Sequence, residues 1–150
     1  MPPISELTAH LGYWMRMVSN AVSQDFARKL AREGVTVAEW VFLRALHDAD
    51  GMAPSALADR MGMTRGAISK LADRLLAKGL IQRSGSATDR RGHSLTLTTQ
   101  GRDRLPVLAA LADANDAEYF GALSGEEREA LDRILKALVE RRGLTEPPVD

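Results

Sequence analysis

Apolar residues repeat at helical spacing at both ends of the chain. The first stripe predicts one long helix over residues 4–32 that ends before Gly34. Its members recur every three or four positions: Ile4, Leu7, Leu11, Trp14, Val18, Val22 and Phe26. Two further stripes predict two long helices after residue 98. Their apolar positions are Leu105, Leu108, Leu111, Ala112 and Tyr119 for one helix, and Leu131, Ile134, Leu135 and Leu138 for the other.

The middle of the chain carries shorter patterns with clear start and stop signals. Thr36 with Glu39 predicts a capping box at the start of a second helix, and Pro54 fits the first position of a third. Thr64 predicts the cap of a fourth helix over residues 65–78, which Gly79 ends. Residues 80–84 and 93–98 then indicate two short strands around a polar loop. This order predicts a helix-turn-helix followed by a β-hairpin wing.

The fold class is therefore mainly α with a small β-hairpin. We expect a winged helix-turn-helix at residues 36–98, a helical dimerisation region formed by residues 1–35 and 99–143, and a flexible tail at residues 144–150. A small winged module cannot cover the stripes of all the terminal helices. We therefore expect the first and last helices to pack together and against a second copy in a two-fold homodimer. A monomer capped by its own terminal helices is the alternative.

Charge is distributed unevenly along the chain, although the formal net charge is zero. Residues 60–104 hold ten Lys and Arg against three Asp, a net charge of +7, and the remaining residues carry −7. A basic centre between acidic flanks favours a surface that contacts phosphate, with a solvated helix face as the alternative.

Composition excludes other classes of chemistry. The chain has no cysteine, so it forms no disulfide, thiolate metal site or thiol switch, and it fits a cytoplasmic location. We expect no cofactor and no metal, because His10, His47 and His93 lack ligand spacing. No enzyme signature is present, and no apolar run has the length of a membrane span or a signal peptide.

The motifs resemble those of the MarR family of winged helix-turn-helix transcriptional regulators. The resemblance is most specific in residues 57–101, with Asp89-x-Arg91-Gly92 in the wing and Leu97-Thr-x-x-Gly101 after it. It implies an obligate homodimer that binds pseudo-palindromic double-stranded DNA, usually as a repressor. It also implies a small-molecule pocket between the dimerisation and DNA-binding regions. A ligand-independent regulator, an activator and a winged protein-interaction module remain alternatives.

Candidate DNA contacts follow from the face of the fourth helix that is turned away from its apolar side chains. Arg65 is the candidate for a guanine edge, and Gly66 would allow close approach of the backbone to the groove. Lys70 is a second candidate for contact from this face, and the phosphate candidates are Thr64, Ser69, Arg74, Arg83 and Arg90. Ordinary solvent-facing helix residues are the alternative. In the wing, Arg91 is the minor-groove candidate, with Asp89 expected to brace it by a salt bridge.

A small aromatic or phenolic effector is the expected ligand of the implied pocket. Aromatic side chains together with one cation suit an aromatic acid. The tentative lining residues are Tyr13, Trp14, Arg16, Met17 and Trp40, and ordinary core packing is the alternative for each of them.

Overall fold

The computed structural model describes residues 1–85 and 94–150. A 3-10 turn at Leu7–Ala9 is followed by helices α1 (Leu11–Arg32), α2 (Val37–Ala49), α3 (Pro54–Met61) and α4 (Arg65–Ala77). Strands β1 (Ile81–Ser84) and β2 (Ser94–Leu97) come next, and helices α5 (Thr99–Phe120) and α6 (Gly125–Arg142) complete the chain. The predicted fold class, mainly helical with one small hairpin, is confirmed.

The helix boundaries follow the capping chemistry of the sequence. The Thr36 hydroxyl accepts from the backbone N–H of Glu39 at 3.1 Å, and the Glu39 carboxylate accepts from the Thr36 N–H at 3.0 Å, so the predicted capping box is confirmed. Ser124 and Glu127 form the same box at the start of α6. Gly34 and Gly79 adopt the left-handed conformation directly after α1 and α4, as expected.

The hydrophobic core lies mainly in the winged domain. Strands β1 and β2 pair antiparallel with Ile81 opposite Leu97, and Met52 adds an isolated bridge to Leu95. The fully buried side chains of α2, α3 and α4 pack beneath this small sheet; they include Phe42, Leu43, Leu46, Leu57, Met61, Ile68 and Leu75. The core therefore holds α4 by one apolar face.

Helix α1 packs along α5, and polar side chains fix the contact. Asn115 of α5 is buried; its amide donates to the carbonyl of Val22 at 3.1 Å and accepts from Nζ of Lys29 at 2.8 Å. The Tyr119 hydroxyl donates a hydrogen bond to the Asp25 carboxylate and lies 3.2 Å from the carbonyl oxygen of Ala21. This bond raises the pKa of Tyr119 and lowers that of Asp25.

Three expectations about the terminal segments need correction. The first helix begins at Leu11, because the chain is extended at Glu6 and His10 on either side of the short 3-10 turn. Within the chain α1 packs on α5 rather than on α6. Leu131, Ile134, Leu135 and Leu138 are not buried, since no residue of α6 is buried in the single chain. Within the part of the protomer that the structure describes, the apolar face of α6 is therefore left largely exposed.

Residues 144–150, expected to be a flexible tail, make contacts with the body of the protein. They form no helix or strand, but Pro147 and Val149 are half-buried, and Val149 packs against the hydrophobic core. A proline-containing apolar sequence, Pro147-Pro148-Val149, gives this segment both a restricted backbone and apolar surface to bury.

Candidate nucleic-acid interface

Helix α4 presents one polar face to solvent. Its N-terminus is capped by Thr64, whose hydroxyl accepts from the Ala67 N–H at 3.1 Å. Ile68, Leu71 and Leu75 are buried on the opposite side. The side chains predicted to contact DNA all lie on the exposed side of this cap and helix: Thr64, Arg65, Ser69, Lys70 and Arg74. The structure therefore brings them together on one surface, named here the α4 face.

Gly66 lies in the first turn of the α4 face. A Cβ at this position would meet no atom within 4 Å, and the glycine has no left-handed backbone. Neither packing nor conformation within the protomer therefore requires glycine here. An external surface that approaches the backbone closely would require it.

The basic residues of the 60–104 segment divide into two groups. Four of them lie within 4.0 Å of a carboxylate: Arg60 with Asp48, Lys78 with Glu39, Arg83 with Asp73, and Arg104 with Glu33. Arg65, Lys70 and Arg74 have no carboxylate within 4.0 Å among residues 1–85 and 94–150. Among the described residues of this segment, the cations without a carboxylate partner are thus those of the α4 face and Arg102, whose guanidinium donates to the carbonyl of Leu97.

The C-terminal end of α4 is anchored by an ion pair between half-exposed Lys78 and buried Glu39. Nζ of Lys78 donates to the Glu39 carboxylate at 2.7 Å and to the carbonyl of Gly34 at 2.7 Å. Burial alone raises the pKa of Glu39, but the hydrogen bonds from Lys78 and Thr36 outweigh burial and lower it below its ordinary value. Glu39 was expected only as a capping residue; its burial and its partner on α4 could not be read from the local sequence.

The Leu97-Thr-x-x-Gly101 motif is a joint between α4 and α5. The Thr98 hydroxyl donates to the carbonyl of Gly79 at 2.6 Å and accepts from the Gly101 N–H at 3.0 Å, and the Thr98 N–H donates to the carbonyl of Leu80 at 3.1 Å. Gly101 is buried, and a Cβ there would overlap the Leu80 carbonyl oxygen. The motif therefore fixes the turn after α4 against the first turn of α5.

The wing is described only at its base. Arg83 is exposed on β1 and lies 4.0 Å from Asp73 of α4, and the Ser84 and Ser94 hydroxyls lie 2.9 Å apart across the hairpin. The predicted wing residues Asp89, Arg90 and Arg91 lie outside the described residues. Their roles stay predictions.

The tentative effector residues fall into two separate groups. Tyr13, Arg16 and Met17 line an open groove of about 520 Å³ on the N-terminal half of α1, beside Trp14, whose ring meets Tyr13 edge-on at 5.2 Å. Trp40 instead lines a cleft of about 350 Å³ between α1, α2 and α5. The structure does not gather the five side chains around one cavity.

Within residues 1–85 and 94–150, no three potential metal-binding side chains come together. None of the helices described has the combination of length and apolar character needed to cross a membrane.

Comparison with known proteins matches this architecture. The MarR family model covers residues 33–92, the region from the end of α1 into the wing. A putative transcriptional regulatory protein for the hcr operon of Thauera aromatica is 34% identical over 133 residues, which cover 88% of this chain and 80% of the relative. The chain belongs to the MarR family.

Solved structures of MarR proteins share the whole layout. A mutant MarR from Escherichia coli complexed with operator DNA superimposes with a TM-score of 0.74 at 25% identity, covering 86% of this chain and 93% of that one. The Mycobacterium tuberculosis MarR family protein Rv2887, complexed with DNA, gives a TM-score of 0.72 at 26% identity, covering 86% and 97%. Rv2887 is named a transcriptional repressor. The MarR family is one of transcriptional regulators, and the α4 face lies inside the region matched by the family model.

Proposed function

We propose that this protein is a homodimeric repressor that binds double-stranded DNA through the α4 face. The observation that carries the proposal is the set of exposed cations on that face, Arg65, Lys70 and Arg74, while other basic residues of the same segment are paired with carboxylates. Two MarR proteins of the same fold were solved with DNA. A helix N-terminus adds a partial positive charge at Thr64 and Arg65, which favours phosphate.

Roles within the α4 face follow from reach and chemistry. Arg65 is in the first helical turn, the part of a recognition helix that contacts base edges, and its guanidinium can bond a guanine through two N–H groups. Gly66 then lets the backbone approach the groove. Lys70 and Arg74, one and two turns further, contact phosphate, and Arg91 enters the minor groove.

Arg65→Ala and Lys70→Ala test these roles on DNA fragments from the gene's own upstream region. We expect Arg65→Ala to lower affinity for the preferred sequence by about 1–3 kcal/mol and to relax its sequence preference. Lys70→Ala should weaken binding to all sequences and reduce the slope of log K against log salt by about one. Fluorescence anisotropy at several salt concentrations measures both effects.

Arg28→Ala is the matched control, because it removes one exposed positive charge from α1, away from the α4 face. Its affinity and salt slope should equal those of the unmodified protein. A salt-independent affinity for DNA, or equal losses in all three variants, would refute the assignment of the α4 face.

The dimer is supported by apolar side chains that the protomer leaves exposed. Leu7, Leu11, Met15 and Val18 are 49–87% exposed near the start of the chain, and Ile134, Leu138 and Val139 are 43–51% exposed on α6. Such a set is larger than isolated surface apolar residues and fits a two-fold interface. Leu11→Glu or Leu138→Glu should dissociate or unfold the dimer; sedimentation that shows the unchanged dimer would exclude this surface.

Release by a small aromatic ligand belongs to the same proposal. The cleft beside Trp40 is bordered by Val22, Phe26 and Ala112 and lies between the helical region and the winged domain. A ligand there would contact both regions and could favour one arrangement of them. The test is titration of phenols and aromatic acids into the protein–DNA complex, and unchanged anisotropy throughout would favour a ligand-independent regulator.

A further inference from the structure

The segment after α6 returns to the body of the protein and lies across α2. Pro147 borders a depression formed by α2 and α3, where its Cδ would stand 3.5 Å from a Cβ placed on Gly62. Pro148 and Asp150 border the cleft between α1, α2 and α5, and Val149 packs against the core. One segment of four residues therefore contacts the helix-turn-helix and reaches the helical region.

The sequence of residues 147–150 suits packing against α2. Two adjacent prolines restrict the backbone before docking, so fixing them against α2 costs less conformational entropy than fixing an ordinary segment. Val149 supplies an apolar side chain that packs against the hydrophobic core. The preceding residues Leu144, Thr145 and Glu146 are exposed, which leaves the contact to residues 147–150.

We propose that residues 147–150 form an intramolecular strap that lies across α2, forms one wall of the cleft beside Trp40 and joins the winged domain to helices α1 and α5. An apolar molecule that enters this cleft therefore meets the strap as part of its wall. All contacts of the strap lie within one protomer, so its test does not depend on the proposed DNA binding.

Trp40 reports on the strap because it borders both places at which the segment lies. A Trp14→Phe background leaves Trp40 as the single tryptophan, since the chain has two. In this background, acrylamide quenching of tryptophan fluorescence measures access to Trp40. We expect Val149→Asn to raise the quenching constant at least twofold, and deletion of residues 144–150 to raise it by the same factor or more.

Thr145→Asn is the matched control, because it places the same side chain at an exposed position of the segment. It should leave quenching unchanged. Circular dichroism at 222 nm establishes that each variant is folded; should the deletion unfold the protein, the Val149→Asn and Thr145→Asn pair decides the question alone. Equal quenching constants in this pair would overturn the strap.

Discussion

Replacement of Gly101 by alanine probes the joint that holds the recognition helix against α5. The new Cβ would overlap the Leu80 carbonyl oxygen and stand 3.0 Å from its carbonyl carbon, whereas carbon atoms pack best at about 3.5–4.0 Å. Both obstructing atoms belong to the backbone, so a side-chain rotation cannot relieve the overlap. Either the turn at Leu80 or the first turn of α5 has to move.

Two terms of opposite sign set the size of the effect. Alanine in place of glycine within a helix gains about 0.5–1 kcal/mol. Against this, overpacking costs about 1–3 kcal/mol, and displacement of Leu80 weakens its hydrogen bond from the Thr98 N–H, for about 0.5–1.5 kcal/mol more. The overlap outweighs the gain, and we expect a net loss of about 2 kcal/mol.

Thermal unfolding followed by circular dichroism measures this loss, at one protein concentration because subunit association shifts the midpoint. A loss of 2 kcal/mol corresponds to a fall in Tm of about 4–8 °C for a chain of this size. Gly66→Ala is the control, since its Cβ meets nothing within 4 Å, and its Tm should stay equal or rise slightly. If Gly101→Ala has the same Tm as the unmodified protein, the contact with Leu80 is not the reason for glycine at this position.

Three further predictions concern other contacts of the same framework. Glu39→Gln should cost about 1–2 kcal/mol at neutral pH, because half-exposed Lys78 loses its ionic partner but regains some hydration. The folded-state pKa of Glu39 is lowered, so its ionised carboxylate stabilises the fold fully at pH values above the usual glutamate pKa. As the pH falls through the lowered pKa this stabilisation is lost, and the urea midpoints of Glu39→Gln and of the unmodified protein should converge. Asn115→Ala should lower unfolding free energy by about 1–3 kcal/mol by leaving buried partners unbonded; an unchanged urea midpoint would contradict this. Gly66→Ala should weaken operator binding while the fold is retained, and unchanged anisotropy would mean that the backbone does not approach the groove there.

Local chemistry was enough to predict the winged domain. Capping boxes, Pro54 at a helix start and glycines after α1 and α4 are signals that act within four residues, so they fix boundaries whatever the rest of the chain does. The exposed side of α4 followed in the same way from the spacing of Ile68, Leu71 and Leu75. Helical spacing alone therefore places Arg65 and Lys70 on one surface.

Contacts between distant segments could not be predicted. Helical spacing showed that α1 and α6 carry apolar stripes, but it could not specify which element covers them. Inside the protomer α1 packs along α5, whereas α6 meets α5 through Arg128 and Asp116 and has no fully buried residue. The partner of Lys78 is 39 positions away, so a residue count treated it as part of the free positive charge. Residues 144–150 were expected to be a flexible tail, because the packing of Val149 against the core depends on residues that are distant in sequence.

The position of α4 depends on contacts at its C-terminal end, whereas Arg65 lies at its N-terminal end. Lys78 ties that end to α1 and α2 through Gly34 and Glu39, and Thr98 ties the following turn to the start of α5. Among residues 1–85 and 94–150, the N-terminal turn of α4 makes no such side-chain bond to another element, and its Thr64 cap and buried Ile68 hold it. Because both anchors bear on α1 or α5, a change in how these helices pack would rotate α4 about its anchored end and move Arg65 furthest. In a two-fold dimer the same rotation acts on both copies, so a small rearrangement near α1 and α5 would change the distance between the two basic faces.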